Sequence, residues 1–519
     1  MVSRSSDEGV SGAPAHLGEL LDRACARGGA GSPALSDGRV RLTWAEYRDR
    51  AARLAASMRA AGVGVGDRVA VHLPKSADSF VAVHAVLRAG AVVVPLDWFA
   101  PVEHLRSVLV DAGATALVSR ARQSALDELV ATTPVRTVLD PLVEDGPALP
   151  PQHLAGSDPA YIIFSSGSTG RPKGIVQTHD SALAYARLAV ETYGLVGEDR
   201  MANIAPLQFD QSTFELYAAP LAGASVLVVP DAVMRFPASL AELVADEQVT
   251  VWYSVPYALR QLHDRGVLEN HDLSRLRWIL YGGEQYPPTE LAALMRAIPS
   301  ARVSNVYGPA EVNQCSHHHL DAPPSADAPI PIGRAWSGSE LVLIEDAQIV
   351  TGPGRGELWV AAATMMDRYW NRPDLTAHSI VEEHPLLGAG RWYRTGDLVE
   401  RRTDGELVFL GRVDNQVKVR GYRIELEGVE ATLADHDSVE GCAVLVESDT
   451  ETLVAIVEPA LDDATLETVR TTALASLPRH SVPARFVSVA RLPRTSTGKV
   501  DRSSARRVLD ADVNSARPV

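Results

Sequence analysis

A segment with the composition of an anion-binding loop begins at Ser165. Residues 165–174 read SSGSTGRPKG, and the apolar residues 161–164 directly before them predict a buried strand. Glycines let backbone N–H groups approach an anion, hydroxyl groups add donors, and Lys173 adds positive charge. A Walker motif requires glycine where Pro172 stands, so the segment predicts a phosphate-binding loop of another type. A Ser/Gly-rich linker is the alternative, but linkers rarely follow a fully apolar strand.

Lysine usage also points to this loop. Arginine fills nearly every basic position, and the lysines of the chain are Lys75, Lys173, Lys418 and Lys499. An ammonium group makes a different phosphate contact from a planar guanidinium. Positions that keep lysine in an arginine-biased chain are therefore candidates for chemistry.

Short apolar strands alternate with helices from about residue 15 onward. Thr43 and Glu46 have the spacing of a capping box, which opens a helix that ends at Gly62. Another helix is predicted at 79–88, and strands are predicted at 69–73, 92–95, 114–119, 226–229, 249–255 and 278–281. This alternation indicates parallel sheets that are covered on both faces, whose ligands bind at the carboxyl ends of the strands.

The pattern changes near residue 400. Asp404 and Gly405 predict a hairpin turn between strands at 398–402 and 406–410. After Gly411, strands are predicted at 417–419, 441–447, 452–458 and 485–489, and helices at 425–435 and 464–477. The predicted fold class is therefore α/β, with a large N-terminal domain of parallel-sheet sublobes and helices, followed by a small α+β C-terminal domain.

Composition excludes several classes of protein. The chain is 46% hydrophobic and 22% charged, as in globular proteins, and its net charge of −16 disfavours nucleic acid as a partner. No stretch approaches the roughly 18 to 20 apolar residues of a membrane helix, and residues 1–14 lack the apolar core of a signal peptide. Three widely spaced cysteines fit a reducing compartment, so the cytoplasm is the expected location.

Nine motifs, in order, resemble those of the adenylate-forming superfamily, and within it the amino-acid adenylation domains of nonribosomal peptide synthesis. They span nearly the whole chain, which makes coincidence negligible. The motifs are LRAGAVVVPLD (87–97), SSGSTGRPKG (165–174), FDQS (209–212), NVYGPAE (305–311), GEL (356–358), YRTGDL (393–398), GRVDNQVKVRGYRIE (411–425), LPRHSVP (477–483) and TGKVDR (497–502).

The resemblance implies an ATP-consuming enzyme that forms an aminoacyl adenylate with the help of Mg²⁺. It assigns catalysis to Thr169, Lys173 and Lys499, and coordination of Mg²⁺ to Glu311. The residues that it assigns to ATP are Ser165, Ser168 and Gly170 at the phosphates, Gly283, Glu284 and Tyr307 at adenine, and Asp397 and Arg412 at the ribose.

The superfamily also implies a domain movement, because its small domain rotates about a hinge between adenylation and acyl transfer. By motif position, Asp414 is the hinge residue. The expected organisation is a disordered tail at 1–14, an adenylation core at 15–410, a hinge at 411–414 and a mobile C-terminal domain at 415–519.

Asp210 of the FDQS motif matches the residue that pairs with the ammonium group of α-amino acids in the superfamily. A buried carboxylate needs a cation or donors, so a substrate with an amine is physically reasonable. The bulk of Phe214 and Tyr253 favours a small neutral amino acid such as alanine, or a compact ring such as proline. Motif alignment lines the pocket with Gln211, Phe214, Tyr253, Leu280, Gly282, Val306, Gln314 and Cys315, none of which is charged.

The chain departs from the superfamily pattern in three places. Ala310 replaces the usual threonine, residues 361–366 differ from the usual glycine-containing run, and no carrier serine follows the small domain. The expected acceptor is therefore a separate phosphopantetheinylated acyl or peptidyl carrier protein, with neither nucleic acid nor membrane as a partner. Residues 479–519 hold nine basic and three acidic groups, a net of 9 − 3 = +6, which could face an acidic carrier.

Two other functions stay open at this point. An acyl- or aryl-CoA ligase of the same superfamily is one, and Asp210 disfavours it. An idle adenylate-binding regulator is the other, and the intact Lys499, Glu311 and phosphate loop disfavour it. The amino acid, the carrier, and the choice between a thiol and a carrier-bound amine as acceptor also stay open.

Overall fold

A computed structural model describes residues 13–121, 123–143, 145–167, 170–264, 267–447, 450–494, 500–502, 504–507 and 509. The chain divides into two compact units. The large unit comprises Met1–Trp98, Asp111–Ile163 and Gly174–Val413, and the small unit comprises Phe99–Val110, Phe164–Lys173 and Asp414–Val519. The division after Val413 falls inside the segment expected to be a hinge, whose movement stays a prediction.

The strands are β1 Pro33–Ser36, β2 Arg41–Thr43, β3 Arg68–His72, β4 Val92–Pro95, β5 Ala116–Ser119, β6 Thr137–Leu139, β7 Pro159–Ser165, β8 Lys173–Thr178, β9 Arg200–Asn203, β10 Ser225–Val228, β11 Val251–Ser254, β12 Trp278–Gly282, β13 Arg302–Tyr307, β14 Ser316–Leu320, β15 Arg334–Ala335, β16 Glu340–Glu345, β17 Gln348–Ile349, β18 Gly354–Ala361, β19 Arg368–Tyr369, β20 Ile380–His384, β21 Gly388–Arg401, β22 Leu407–Arg412, β23 Gln416–Val419, β24 Tyr422–Glu425, β25 Gly441–Glu447, β26 Thr452–Glu458 and β27 Arg485–Ser488.

The α-helices are α1 Leu20–Gly28, α2 Trp44–Ala60, α3 Ala77–Arg88, α4 Val102–Ala112, α5 Gln123–Thr132, α6 His179–Tyr193, α7 Ala219–Ala222, α8 Asp231–Met234, α9 Pro237–Asp246, α10 Pro256–Asp264, α11 Pro288–Ala297, α12 Pro373–Ser379, α13 Leu426–Ala434 and α14 Asp463–Ser476. Single 3₁₀ turns lie at Leu17–Glu19, Asp210–Ser212, Leu268–Asn270 and Arg479–Ser481, and a π-helical turn lies at Phe214–Ala218.

Two largely parallel sheets form most of the large unit, as predicted. One has nine strands in the order β15-β14-β13-β12-β11-β9-β10-β1-β2, and the other has seven in the order β19-β8-β7-β4-β3-β5-β6. Antiparallel pairs lie at the margins, where β2 pairs with β1, β14 with β13 and β15, and β19 with β8. Each strand predicted between residues 69 and 281 is present, with ends that differ by at most two residues.

The third sheet of the large unit corrects the expectation of parallel sublobes. It is antiparallel, with the order β17-β16-β18-β21-β20, and β22 pairs with β21 to form the predicted hairpin around Asp404 and Gly405. Buried and partly exposed residues alternate along the second half of β21. Antiparallel sheets can expose one face to solvent, whereas parallel sheets are usually buried on both faces.

Helix packing joins the first two sheets into one core. The predicted capping box of α2 is present, since Thr43 Oγ1 accepts from Glu46 N at 3.3 Å and Glu46 Oε2 accepts from Thr43 N at 2.8 Å. Residues of α1, α2, α3 and α6 share a buried hydrophobic cluster with strands of both sheets. This core holds the carboxyl ends of the strands in fixed positions.

The small unit has its own hydrophobic cores, formed by the hairpin β23–β24, the sheet β25-β26-β27 and the helices α13 and α14. The strands predicted at 441–447 and 452–458 match β25 and β26. Within the described part of the chain, no helix has the length and apolar character needed to span a membrane.

Candidate active site

Three parallel strands of the nine-stranded sheet end side by side and carry predicted pocket residues. Tyr253 on β11 lies opposite Leu280 on β12, and Gly282 at the end of β12 lies opposite Val306 on β13. All four are buried. The register of the sheet therefore brings these predicted residues together at the strand ends where ligands of open α/β sheets bind.

An irregular turn adds three more predicted residues to the same region. Asp210 and Gln211 lie on the 3₁₀ turn, and Phe214 opens the π-helical turn that follows. The ring of Phe214 meets the ring of Tyr253 edge to face, with centroids 5.5 Å apart. Burial raises the pKa of Tyr253 well above its ordinary value, and the nearby Asp210 carboxylate raises it further. Asp210, itself half-buried, is thus close to the aromatic wall of the pocket.

A side-chain hydrogen bond links Gln314 to that wall. Gln314 Nε2 donates to the hydroxyl of Tyr253 at 2.6 Å, and both residues are buried. The neighbouring Cys315 is fully buried, and burial raises the pKa of its thiol. Cys315 therefore acts as a small apolar residue here, and the Gln314–Tyr253 bond limits the space available to a ligand.

Glycine is required at the end of β12. A Cβ atom on Gly282 would lie 2.4 Å from the carbonyl oxygen of Val306, a distance that side-chain carbons do not tolerate. Gly283 has a φ of +92°, in the left-handed region that favours glycine. Gly283 is exposed and Glu284 half-buried, so the strand opens to solvent directly after the pocket.

Three of the five residues assigned to adenine and ribose, Tyr307, Asp397 and Arg412, form one hydrogen-bonded cluster. Asp397 on β21 lies opposite Arg412 on β22, and Arg412 Nη1 donates to Asp397 Oδ1 at 2.5 Å. The hydroxyl of Tyr307, at the end of β13, donates to Asp397 Oδ2. Burial raises the pKa of Tyr307, and the Asp397 carboxylate adds to that effect. A carboxylate held on both oxygens presents a fixed acceptor, which suits recognition of hydroxyl groups.

Glu311 is fully buried and is held by a tyrosine that no motif assignment includes. Tyr369 on β19 donates its hydroxyl hydrogen to Glu311 Oε1 at 2.7 Å, and the backbone N–H of Met366 donates to the Glu311 carbonyl at 2.7 Å. The available signal was the position of Tyr369 in RYWNRPD, just before the proline that opens α12. Sequence spacing alone does not reveal that these side chains meet.

The setting of Glu311 fits a nucleotide-bound Mg²⁺. The described residues contain no cluster of three or more His, Cys, Asp or Glu that could cage a metal. Magnesium ions that bridge phosphates need no such cage, because one or two carboxylates and the phosphate oxygens complete their shell. A single carboxylate oriented by a hydrogen bond from Tyr369 is consistent with that mode of binding.

The phosphate loop belongs to the small unit, where it makes defined contacts. Ser165 ends β7, and its buried hydroxyl has no hydrogen-bond partner among the residues that the structure describes. A buried donor without a partner fits a ligand oxygen. Lys173 Nζ lies 3.1 Å from Glu425 Oε1, which also accepts from Gln416 Nε2 at 2.5 Å. An anionic ligand at Lys173 would therefore compete with the Glu425 carboxylate.

Of the other assigned residues, Gly170 and Asp414 lie within the described part of the chain. Gly170 has a φ of +76°, which explains glycine at that point of the loop. Asp414 is exposed, and its Oδ1 accepts from Gln416 N at 3.1 Å. Ser168, Thr169 and Lys499 lie outside the described residues, so their assigned roles stay predictions.

Comparisons with known proteins agree over most of the chain. A family model described as AMP-binding enzyme matches residues 21–370, and one described as AMP-binding enzyme C-terminal domain matches residues 428–499. An L-proline–[L-prolyl-carrier protein] ligase of Pseudomonas fluorescens is 33% identical over 494 residues, which cover 92% of this chain and 96% of that protein. A protein of the same name from Streptomyces coelicolor is 34% identical over 510 residues, covering 92% and 94%.

Solved structures share the fold. The amide bond synthetase McbA of Marinactinospora thermotolerans superimposes with a TM-score of 0.83 at 26% identity, covering 95% of this chain and 99% of that chain. The shared architecture extends through both the large and the small unit of the present chain, because the coverage of each chain is nearly complete.

Proposed function

Because the chain belongs to the family of AMP-binding enzymes, we propose that it adenylates a small neutral amino acid and loads it onto a separate carrier protein. The substrate carboxylate attacks the α-phosphorus of ATP and expels pyrophosphate. The phosphopantetheine thiol of the carrier then attacks the acyl carbonyl and releases AMP. The two ligases from Pseudomonas and Streptomyces, whose names specify a carrier protein, support this second step.

The observation that carries the proposal is the setting of Asp210. It is the only charged residue among those assigned to the pocket, and it lies beside Tyr253 and Phe214 at the strand ends. A carboxylate in such surroundings is stabilised by the ammonium group of an amino acid. Fatty and aromatic acids lack that group, which disfavours the alternative of an acyl- or aryl-CoA ligase.

The size of the pocket supports a compact side chain. Phe214 and Tyr253 meet edge to face, Gln314 donates to the hydroxyl of Tyr253, and the end of β12 admits no side chain at Gly282. Alanine and proline are the candidates that such a cavity favours. Two relatives are named as proline ligases, so proline is the first to test.

Roles for the remaining residues follow from the same proposal. Tyr307, Asp397 and Arg412 hold adenosine, with Gly283 and Glu284 flanking the base. Ser165, Ser168, Thr169, Gly170 and Lys173 bind the phosphates, and Lys499 stabilises the charge that develops as pyrophosphate leaves. Glu311, oriented by Tyr369, holds Mg²⁺, which neutralises phosphate charge when bound. Asp414 is the hinge.

The test of the proposal is amino-acid-dependent pyrophosphate exchange with proline, alanine, charged amino acids, benzoate and hexanoate. We expect exchange with proline or alanine well above all the others. Asp210→Asn should lower kcat/KM for the preferred amino acid about a hundredfold or more, with little change in ATP binding, because the charge partner of the ammonium is lost. Asp272→Asn, which alters an exposed carboxylate of the large unit, is the matched control.

Transfer completes the test. The enzyme should move a radiolabelled amino acid to a holo carrier protein and not to its apo form, since only the former has a thiol. Equal exchange with benzoate or hexanoate, or equal transfer to free coenzyme A, would contradict the proposal and favour a CoA ligase. Unchanged kcat/KM in Asp210→Asn would contradict the pairing of Asp210 with the substrate ammonium.

A further inference from the structure

A buried lysine lies outside the motifs assigned to ATP and to the amino acid. Lys75 stands in the loop between β3 and α3 and is only 6% exposed. Its Nζ donates to the carbonyl oxygen of Ile204 at 2.5 Å, and its backbone N–H lies 3.4 Å from Asp231 Oδ2. Lys75 thus connects the loop before α3 to the residue that follows β9.

A buried glutamate binds Asn203, the residue that precedes Ile204 at the end of β9. Glu215 lies on the π-helical turn, directly after the pocket residue Phe214, and is 2% exposed. Its Oε2 accepts from Asn203 Nδ2 at 3.0 Å. Asn203 and Ile204 are consecutive, so Glu215 and Lys75 hold two successive residues at the carboxyl end of β9.

Burial of both groups is costly, which argues for a purpose. Desolvation lowers the pKa of Lys75 to about 8 and raises that of Glu215 to about 8, and each group partly offsets the effect on the other. Apolar residues of similar volume would avoid this cost. The polar groups provide directed hydrogen bonds to the strand end, which apolar side chains cannot make.

The turn that Glu215 belongs to needs external support. Single π-helical turns are rare, because their backbone geometry is less favourable than that of an α-helix. They lie frequently at functional sites. Thr213 Oγ1 donates to the Asp210 carbonyl at 2.5 Å, which links the 3₁₀ turn to the π-helical turn. A shift of Glu215 would therefore move both Phe214 and Asp210.

We propose that Lys75 and Glu215 are positioning residues for amino-acid recognition. Glu215 fastens the turn 210–218 to the end of β9, Lys75 fixes that strand end to the loop before α3, and together they set the positions of Asp210 and Phe214. The inference rests on the proposed function, in which those two residues contact the substrate. Neither Lys75 nor Glu215 needs to touch the substrate to fulfil this role.

Hydrogen–deuterium exchange tests the anchoring without any substrate. In Lys75→Met and in Glu215→Ala, backbone amides of the turn should exchange about tenfold or more faster than in the wild type, because a hydrogen bond that restrains local opening is lost. Arg88→Met is the matched control: Arg88 is buried on α3, but its guanidinium binds Asp22 and the Leu149 carbonyl rather than the strand end. It should leave exchange in the turn unchanged.

Steady-state pyrophosphate exchange tests the consequence for recognition. Lys75→Met and Glu215→Ala should raise KM for the amino acid about tenfold while KM for ATP changes less than about twofold. Glu215→Gln keeps an oxygen that can accept from Asn203, so its KM should stay within about threefold of the wild type. A general loss of stability would affect both substrates alike and would not be rescued by glutamine.

The outcomes separate this inference from the proposed function. Unchanged amide exchange in both Lys75→Met and Glu215→Ala, or equal increases of KM for ATP and for the amino acid, would overturn the positioning role. If the wild type exchanges pyrophosphate with no amino acid, the proposed function falls, and the amide exchange data still decide whether the two residues anchor the turn.

Discussion

Glu311 is a carboxylate in a position without access to water, and a tyrosine hydroxyl donates a hydrogen bond to one of its oxygens. Removing that hydroxyl takes away the hydrogen bond that Tyr369 donates to Glu311 Oε1. A hydrogen bond to a charged group is worth about 1.5–3 kcal/mol, which is enough to change the affinity of a metal ligand measurably.

We therefore predict that Tyr369→Phe raises the Mg²⁺ concentration for half-maximal pyrophosphate exchange by about tenfold, with KM for the amino acid nearly unchanged. A Mg²⁺ titration of exchange checks this, together with calorimetric Mg²⁺ binding in the presence of a non-hydrolysable ATP analogue. Tyr281→Phe is the matched control, because the buried hydroxyl of Tyr281 has no hydrogen-bond partner within the described ranges. A lower melting temperature with unchanged Mg²⁺ dependence would show that Tyr369 supports the fold only.

The sequence predicted which residues share a ligand, but it did not predict which side chains bond to one another. Motif order allowed Tyr307, Asp397 and Arg412 to be assigned to one ligand, and the structure places them in one hydrogen-bonded cluster. The bond between Gln314 and Tyr253 had no sequence signal, because the residues are 61 positions apart and meet only through the packing of the sheet.

At the scale of elements, the close approach of β12 and β13 shapes the pocket. Gly282 pairs with Val306 at the ends of these strands, and the backbone of β13 occupies the space that a side chain on β12 would need. Methyl groups forced into a close-packed site shift the backbone or strain it, at a cost of about 1–3 kcal/mol.

Gly282→Ala should accordingly destabilise the protein by about 1–3 kcal/mol and lower kcat/KM for the amino acid more than a hundredfold, because the strand ends that carry Val306 and Leu280 must separate. Thermal unfolding and pyrophosphate exchange measure the two effects. Gly31→Ala, at an exposed position where a Cβ meets no atom within 4 Å, should stay within about 0.5 kcal/mol of the wild type. Similar behaviour of the two variants would refute the close-approach argument.

Strands such as β4, β25 and β26 were predictable because each is a short apolar run rich in β-branched residues between turn signals. Most of the antiparallel sheet that includes β16, β18 and β21 was not predictable from the sequence. Strand β21 begins with exposed glycines and an arginine, and buried and partly exposed residues alternate only in its second half. The π-helical turn at Phe214–Ala218 was also beyond prediction, since its sequence has the same composition as an ordinary helix start.

Across the large unit, three buried histidines link stability to pH. Desolvation by burial lowers the pKa of His72, His84 and His179 to about 4. In the unfolded chain they titrate near 6.5, so the unfolded state binds more protons between pH 6.5 and 4. Their stabilising contribution is complete above pH 6.5 and is lost as the pH falls towards 4. Glu215, with its raised pKa, acts in the opposite direction between pH 8 and 4.5.

We expect the melting temperature to fall as the pH is lowered from 6.5 to 4.5, because the histidines whose pKa burial lowers outnumber the carboxyl groups, Glu215 among them, whose pKa burial raises. Each histidine contributes up to about 3 kcal/mol over the full range. His84→Gln keeps a donor for the Leu216 carbonyl, which His84 Nε2 contacts at 3.1 Å, but cannot titrate. Its melting temperature should therefore depend less on pH than that of the wild type, and equal slopes in calorimetry would disprove the assignment.

The small unit draws its residues from three separate parts of the chain, Phe99–Val110, Phe164–Lys173 and Asp414–Val519. During synthesis the ribosome releases the first two segments long before the third, so the small unit cannot be completed until residues 414–519 have also been synthesised. The same arrangement restricts gene recombination. A crossover at Val413 would join a foreign C-terminal segment to two native segments that had adapted to other neighbours, and an exchange that preserves the unit must carry all three.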